Sequence, residues 1–382
     1  MSTTIMVRAE QAVGERRVSA TPDSVKKLVS AGAAVLVASG AGAGALLPDA
    51  QYEAAGARIV APDENPDADV YFHVRPLDPS EVSALPAGSV TLGTADPFTH
   101  PESVAAARDG GITMLALDLL PRISRAQSMD VLSSQSFVAG YRLVTMAADA
   151  FGRMFPMSMT AAGTLAPTRV LVLGAGVAGL QAIATAKRLG AVVSANDVRA
   201  ASADEVRSVG GTFIDLDLET ADASGGYAKA LGEDRARRQQ ELLTPHLVAS
   251  DIVITTAAVP GRAAPRLVTA AMLAGMRPGS VLVDLAAESG GNVEGSVPGE
   301  RRAVEVNGGT ATLIGARNIH SDLPVDASKL LGMNYANFLV PLLREGTLAL
   351  DFDDELVAGC ALTHEGAVTH TRIAELLEGA AR

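Results

Sequence analysis

Tryptophan is absent, and five tyrosines and eight phenylalanines are the only bulky aromatics in 382 residues. Aliphatic side chains must therefore build the cores, and a 48% hydrophobic fraction beside 19% charged residues argues for ordered globules, not a disordered chain. Cysteine is nearly missing as well. The single Cys360 excludes an internal disulfide and fits a reducing compartment. No apolar run reaches the roughly 18 to 20 residues that a membrane span needs, and the opening "MSTTIMVRAE" carries no basic-then-apolar leader. Long lysine or arginine runs are also lacking, and a formal net charge of -12 repels phosphate backbones and anionic lipid. No nucleic-acid partner and no direct membrane insertion are expected, and the chain reads as cytoplasmic. The six histidines (His73, His100, His246, His320, His364 and His370) are scattered, with no HxxxH or Cys/His cluster. Each reads as a surface or loop residue, and no metal site is expected.

What is present is α/β order. The length suits two domains. In the first 120 residues the short apolar runs "TIMV", "AAVLVAS", "DVYFHV", "SVTLGTA" and "ITMLALDLL" alternate with helical or turn-rich sequence. "TPDSVKKLVSAG" has a helix start at Thr21 and Pro22, apolar Val25, Leu28 and Val29, and a stop at Gly32. After residue 136, "FVAGYRLVTMAADAFGRM" has helical spacing and bridges to a second restart of the strand pattern at Thr168. "RVLVL", "AVVSAND", "DIVITTA", "SVLVDLA" and "ATLIGA" then read as buried strands. The fold class expected is α/β, with two Rossmann-like doubly wound domains and an NAD-binding cleft between them. The first domain takes residues 1–136 plus 322–382, and the nucleotide domain takes 137–321.

Gly174, Gly176 and Gly179 form GxGxxG directly after "RVLVL" and before the helix "VAGLQAIATAKRLG", with Asp197 closing the next strand 18 residues beyond Gly179. Gly174 permits the tight turn, Gly176 lets the backbone approach a pyrophosphate, and Gly179 allows close helix packing. Asp197 can accept from both ribose hydroxyls and repels a 2'-phosphate, which selects NAD over NADP. Arg199 pulls the other way, since an arginine there can receive that phosphate. Val177, Ala178, Val198, Thr256 and Ala257 complete the expected cofactor-binding set.

"PRISRAQSMDVLSSQS", residues 121 to 136, interrupts this apolar chain with two arginines, two glutamines, an aspartate and five serines. Two readings stand on the residues alone. One is a solvated loop followed by a helix capped by Ser133 or Ser134. The other is a loop over a ligand cleft, with Arg122, Gln127, Asp130 and Ser133 approaching a dinucleotide. A free-standing dehydrogenase needs a proton donor near the nicotinamide. Direct hydride transfer between two nicotinamides needs none, only two rings held face to face without water.

The stretches "PRISRAQSMDVLSSQS", "MTAAGT", "GAGVAGLQAIATAKRLGAVV", "GGYAK", "DIVITTA", "PGRAAPRLVT" and "GSVLVDLAAESGGN" together resemble the NAD(H)-binding domain I of proton-translocating NAD(P) transhydrogenase. The resemblance runs almost end to end and is closest to the split bacterial alpha-1 form. It implies a homodimer that binds NAD(H) and passes hydride to NADP(H) on a partner subunit, with a membrane-spanning subunit alongside. It implies further that Arg122, Asp130 and Ser133 set the nicotinamide, that Gln127 reaches toward the partner nucleotide, and that Tyr227 belongs to a mobile loop closing over the ligand. Through those partners the protein would sit at the inner face of the cytoplasmic membrane.

The same superfamily contains alanine dehydrogenase, the rival reading. Arg17 in "ERRVSATP" matches that enzyme's keto-acid arginine and does not discriminate. The lysine and histidine expected of the rival are missing: Phe72, His73 and Arg75 stand at the first place, and "TLGTADPFTH" has only the late His100 at the second.

Overall fold

A computed structural model describes residues 2–61, 64, 66–199, 201–216, 228–258 and 263–380. The chain divides into two units, Met1–Gln135 with His320–Arg382, and Ser136–Ile319. The boundary falls inside the helix Val131–Ala150.

The first unit is built on an eight-stranded sheet. Its spatial order is Ala367–Val368, Ala361–His364, Thr113–Ala116, Val90–Gly93, Val70–Phe72, Thr4–Val7, Ala34–Ala38 and Arg58–Val60. The six strands from the N-terminal half are parallel, and the two from the C-terminal segment add antiparallel at one edge. Strand order reverses between Thr4–Val7 and Val70–Phe72, which makes that point the unit's topological switch. The helix Pro22–Ser30 starts with a capping box between Thr21 and Ser24 and buries Val25 and Leu28. The strand Arg58–Val60 and the two C-terminal strands, each four residues or fewer, are not among the runs singled out in the sequence.

The second unit holds a seven-stranded sheet ordered Thr212–Phe213, Val192–Asn196, Arg169–Leu173, Ile252–Thr255, Val281–Asp284, Gly309–Gly315 and Arg301–Val306. All neighbours are parallel except the last pair. "RVLVL" shows why both faces are covered. Val170 and Val172 pack with Leu143, Val144 and Ile183 on one side, while Leu171 and Leu173 pack with Leu243 and Leu247 on the other. The helix Val177–Arg188 turns Ala178, Ala182, Ile183 and Ala186 inward. Gly140 lets the helix Val131–Ala150 approach it, because a Cβ there would lie 2.2 Å from the Ala178 carbonyl oxygen.

Among the described residues no helix is long and apolar enough to cross a membrane. None of their His, Cys, Asp and Glu side chains form a metal-binding group. Cys360 is buried, and burial pushes its thiol up to about 12, far from a reactive thiolate.

Candidate nucleotide site

In the second unit the strand order reverses between Arg169–Leu173 and Ile252–Thr255, and each of those strands delivers a turn at its carboxyl end. Gly174 takes a φ of 101°, a backbone state that favours glycine. A Cβ on it would meet Thr256 Oγ1 at 2.7 Å. The Thr256 hydroxyl donates to the Gly174 carbonyl at 3.0 Å, tying the two turns together. Gly179 is equally constrained, since a Cβ there would lie 1.9 Å from the Gly174 oxygen. Gly176 differs. It caps the helix in an extended conformation, and a Cβ on it would have nothing within 4 Å. The space is open where a helix N-terminus offers free amide groups, as phosphate binding requires. Val177 is exposed beside it, and Ala178 is buried beneath.

Asp197 ends the next strand and is half-buried. Its carboxylate accepts from the Ala175 amide at 2.7 Å and from the Arg199 amide and Nε at 2.9 and 3.0 Å. Burial raises its pKa, but these bonds outweigh it and leave it below the usual aspartate value. Arg199 also donates to the Ala175 carbonyl at 3.2 Å. The acid and the arginine that point to opposite cofactors in the sequence are therefore one ion pair. Val198 is exposed next to them. Tyr227 lies outside the described residues.

Two residues that the sequence reading does not single out shape this edge. Asn292, fully buried, accepts from the Ala257 amide at 3.0 Å and donates to the Ala257 carbonyl at 2.9 Å, clamping the turn after Thr256. Asp284, also buried, accepts from Thr255 Oγ1 at 2.9 Å and from the Ala286 amide at 3.0 Å. Their signal in "VLVDLAAESGGN" is an aspartate closing the apolar strand and an asparagine directly after the glycine pair.

In the first unit the polar run resolves into an inner and an outer set. Ser124–Met129 is a 3-10 turn and Val131 already begins the long helix. The cap is Asp130 rather than Ser133 or Ser134: its carboxylate accepts the Ser133 amide at 2.9 Å and the Ser133 hydroxyl as well. A carboxylate outcompetes a hydroxyl for those amides because the bond is charge-assisted. The side chains of Arg122 and Gln127 are exposed and make no hydrogen bond among the described residues. Arg125 is committed to Asp354 by two bonds of 2.6 and 2.7 Å. Ser134, Gln135 and the Ser128 carbonyl face inward, where Ser134 donates to Asn334 at 2.6 Å and Asn334 donates to Ser128 at 2.9 Å.

Arg17 joins that inner set. It is 7% exposed and holds the fully buried Glu15 by two bonds of 2.7 and 2.8 Å, with Nη1 donating to Gln135 Oε1 at 3.0 Å. Burial raises the Glu15 pKa, but Arg17 and the Ser321 hydroxyl outweigh it and bring the group to about 2. His73 departs from the surface or loop role expected of it. It is buried, its Nδ1 donates to the Arg75 carbonyl at 2.8 Å, and burial lowers it to about 4. It fits there because Gly93 opposite has no side chain. A cavity of about 40 Å³ lined by Arg8, Glu10, His73 and Arg75 lies at this unit's switch point.

Two doubly wound units, one of them with a glycine turn and an open helix N-terminus at its switch point, define a Rossmann-like protein. Family models agree with that architecture: "Alanine dehydrogenase/PNT, N-terminal domain" matches 6–139 and "Alanine dehydrogenase/PNT, C-terminal domain" matches 143–371. The chain belongs to the alanine dehydrogenase/PNT family. It is 47% identical over 378 residues to the first portion of the split NAD(P) transhydrogenase subunit alpha of Rhodospirillum rubrum, covering 96% of this chain and 97% of the relative. A crystal structure of transhydrogenase from Sinorhizobium meliloti matches with a TM-score of 0.84 and 43% identity, covering 97% of this chain and 99% of the other. Alanine dehydrogenase of Halomonas elongata stands further off, at 32% over 372 residues, 94% of this chain and 93% of the relative.

Proposed function

We propose that the chain is the NAD(H)-binding subunit of an NAD(P) transhydrogenase and exchanges hydride directly with NADP(H) held on a partner subunit. The open N-terminus at Gly176, framed by Gly174, Thr256 and Ala257 at the switch point, carries the reading. Gly174, Gly176, Val177, Ala178 and Gly179 receive the pyrophosphate, while Asp197, Val198 and Arg199 receive the adenosine ribose. Tyr227, Thr256 and Ala257 complete the nucleotide contacts. Arg122, Asp130 and Ser133 hold the nicotinamide, and Gln127 reaches toward the second nucleotide. NAD supplies the hydride chemistry, and these residues bind, orient and exclude water.

The stronger likeness to transhydrogenase subunits than to alanine dehydrogenase supports this choice over the rival. So does the first unit. Arg17 there is already engaged by Glu15 and Gln135. Partners are a second copy, a membrane-spanning subunit and an NADP-binding subunit, which would place the protein at the inner membrane face. The hairpin Ser158–Thr160 with Gly163–Leu165 supports a second copy, since Met159 and Leu165 are exposed on a two-stranded piece that is marginal alone in water. Titration of NADH fluorescence tests the binding step. Saturable quenching without NADH consumption in the presence of a keto acid and ammonia supports the reading. Consumption without any partner would establish the dehydrogenase instead.

A further inference from the structure

The geometry points to Arg17 and Gln135 as positioning residues for hydride transfer, acting through the start of the helix Val131–Ala150 and not on the nucleotide. The inference rests on the function proposed above. Gln135 stands two residues beyond Ser133 and five beyond Asp130, inside the first turns of the helix that Asp130 caps. Its side-chain amide is fixed at both ends: Oε1 accepts from Arg17 at 3.0 Å and Nε2 donates to the Ala327 carbonyl at 3.1 Å. On the other side of the cap, Asn334 holds the Ser128 carbonyl. Asp130 and Ser133 are thus fixed from behind on both flanks, while among the described residues the Asp130 carboxylate bonds only to the Ser133 amide and hydroxyl.

Stability alone is a poor account of this arrangement. A buried ion pair such as Glu15 and Arg17 gains little net free energy over packed apolar groups of the same volume, because both charges must be desolvated. What the planar guanidinium does provide is direction. Glu15 takes two donors on one edge of the fork, so Nη1 is aimed at a single acceptor, and that acceptor belongs to the helix bearing the nicotinamide residues. Releasing Gln135 lets the helix start rotate or slide without emptying the nucleotide site. A misplacement of about 1 Å at reacting groups costs on the order of a hundred-fold in rate.

Gln135→Met keeps length and helix preference but removes both hydrogen bonds. With NADP-loaded partner subunit present, the hydride-transfer rate should fall ~10-fold or more while the NADH dissociation constant stays within ~2-fold of wild type. Gln135→Glu, which keeps the acceptor for Arg17 but loses the donor to the Ala327 carbonyl, should recover part of that loss. Amide hydrogen exchange at Ser133 and Ser134 should quicken in Gln135→Met and slow again in part in Gln135→Glu, a readout that needs no partner. Unchanged exchange overturns the inference, as does a rate equal to wild type, a rate and affinity that fall together, or a glutamate variant no better than the methionine one. A wild-type protein that binds NADH yet transfers nothing sinks the proposed function instead, and the positioning role for hydride transfer falls with it.

Discussion

Two glycines of one motif should respond in opposite ways to the same added methyl group. A Cβ at Gly179 would sit 1.9 Å from the Gly174 carbonyl oxygen and 2.9 Å from its carbon, roughly 1.5 Å inside van der Waals contact. The obstacle is backbone, held in turn by Thr256, so it cannot swing aside as a side chain would. Gly179→Ala should therefore destabilise by the upper part of the ~1–3 kcal/mol range for overpacking, lowering the unfolding temperature by roughly 4 to 12 °C for a unit of this size. Gly176→Ala meets nothing within 4 Å in the protein, so its stability should stay within ~0.5 kcal/mol of wild type, as for a site free of packing. Its methyl group instead fills the space assigned to the pyrophosphate, and NADH affinity should fall ~10-fold or more, which is about 1.4 kcal/mol of lost binding. Thermal unfolding and NADH titration on both variants read the two effects. Unimpaired NADH binding by Gly176→Ala would refute the assignment of the open helix end to phosphate. An unshifted unfolding temperature in Gly179→Ala would refute the packing argument.

Other perturbations have equally definite outcomes. Asp197→Ala removes the partner of Arg199 and should weaken NADH by ~10-fold, as for a lost charge-assisted bond, while raising affinity for NADPH. Isothermal titration with both nucleotides reads the change, and a loss of both affinities alike would contradict it. Arg17→Met leaves the buried Glu15 carboxylate with Arg75 Nε at 4.0 Å in place of the close Arg17 fork and should cost up to about 3 kcal/mol in urea unfolding. Glu15 is depressed to about 2 in the folded chain, so its contribution is full above its unfolded value near 4.5 and is lost as pH falls through the folded value. His73 and His320 are lowered to about 4 and about 3, chiefly by burial. The unfolded chain protonates these rings first, so their stabilising effect is full above about 6.5 and declines as pH drops toward those folded values. Nuclear magnetic resonance of labelled histidine should find His73 still neutral at pH 5, and a charged ring there would contradict its burial.

The parts of the fold that are legible in the sequence are those with local signatures. "RVLVL", the glycine turn and the following helix announce themselves because strand, turn and helix each demand their residues within a few positions. The fold class is likewise readable, since fully buried parallel strands appear as continuous apolar runs. Short edge strands are not, because Thr212–Phe213 and Arg58–Val60 are too brief to show a period. The polar run is legible as a special segment but not as two sets. Which of its residues turn inward depends on Asn334 and Arg17, some 200 and 118 positions away in the chain. His73 escapes a sequence reading for a related reason: what admits a ring to the interior is the missing side chain of Gly93, on the neighbouring strand. Asp197 and Arg199 each suggest a different cofactor when read singly, and only their pairing shows that the arginine is already engaged.

The central claim is direct exchange of hydride between NAD(H) on this chain and NADP(H) on another. The protein should be mixed with an NADP-binding transhydrogenase subunit and an oxidised NAD analogue of shifted absorbance, and reduction of the analogue by NADPH followed at its own wavelength. The expected result is rapid reduction that needs both proteins, no added amino or keto acid, and an intact Asp130. Absence of transfer while NADH binds normally would contradict it.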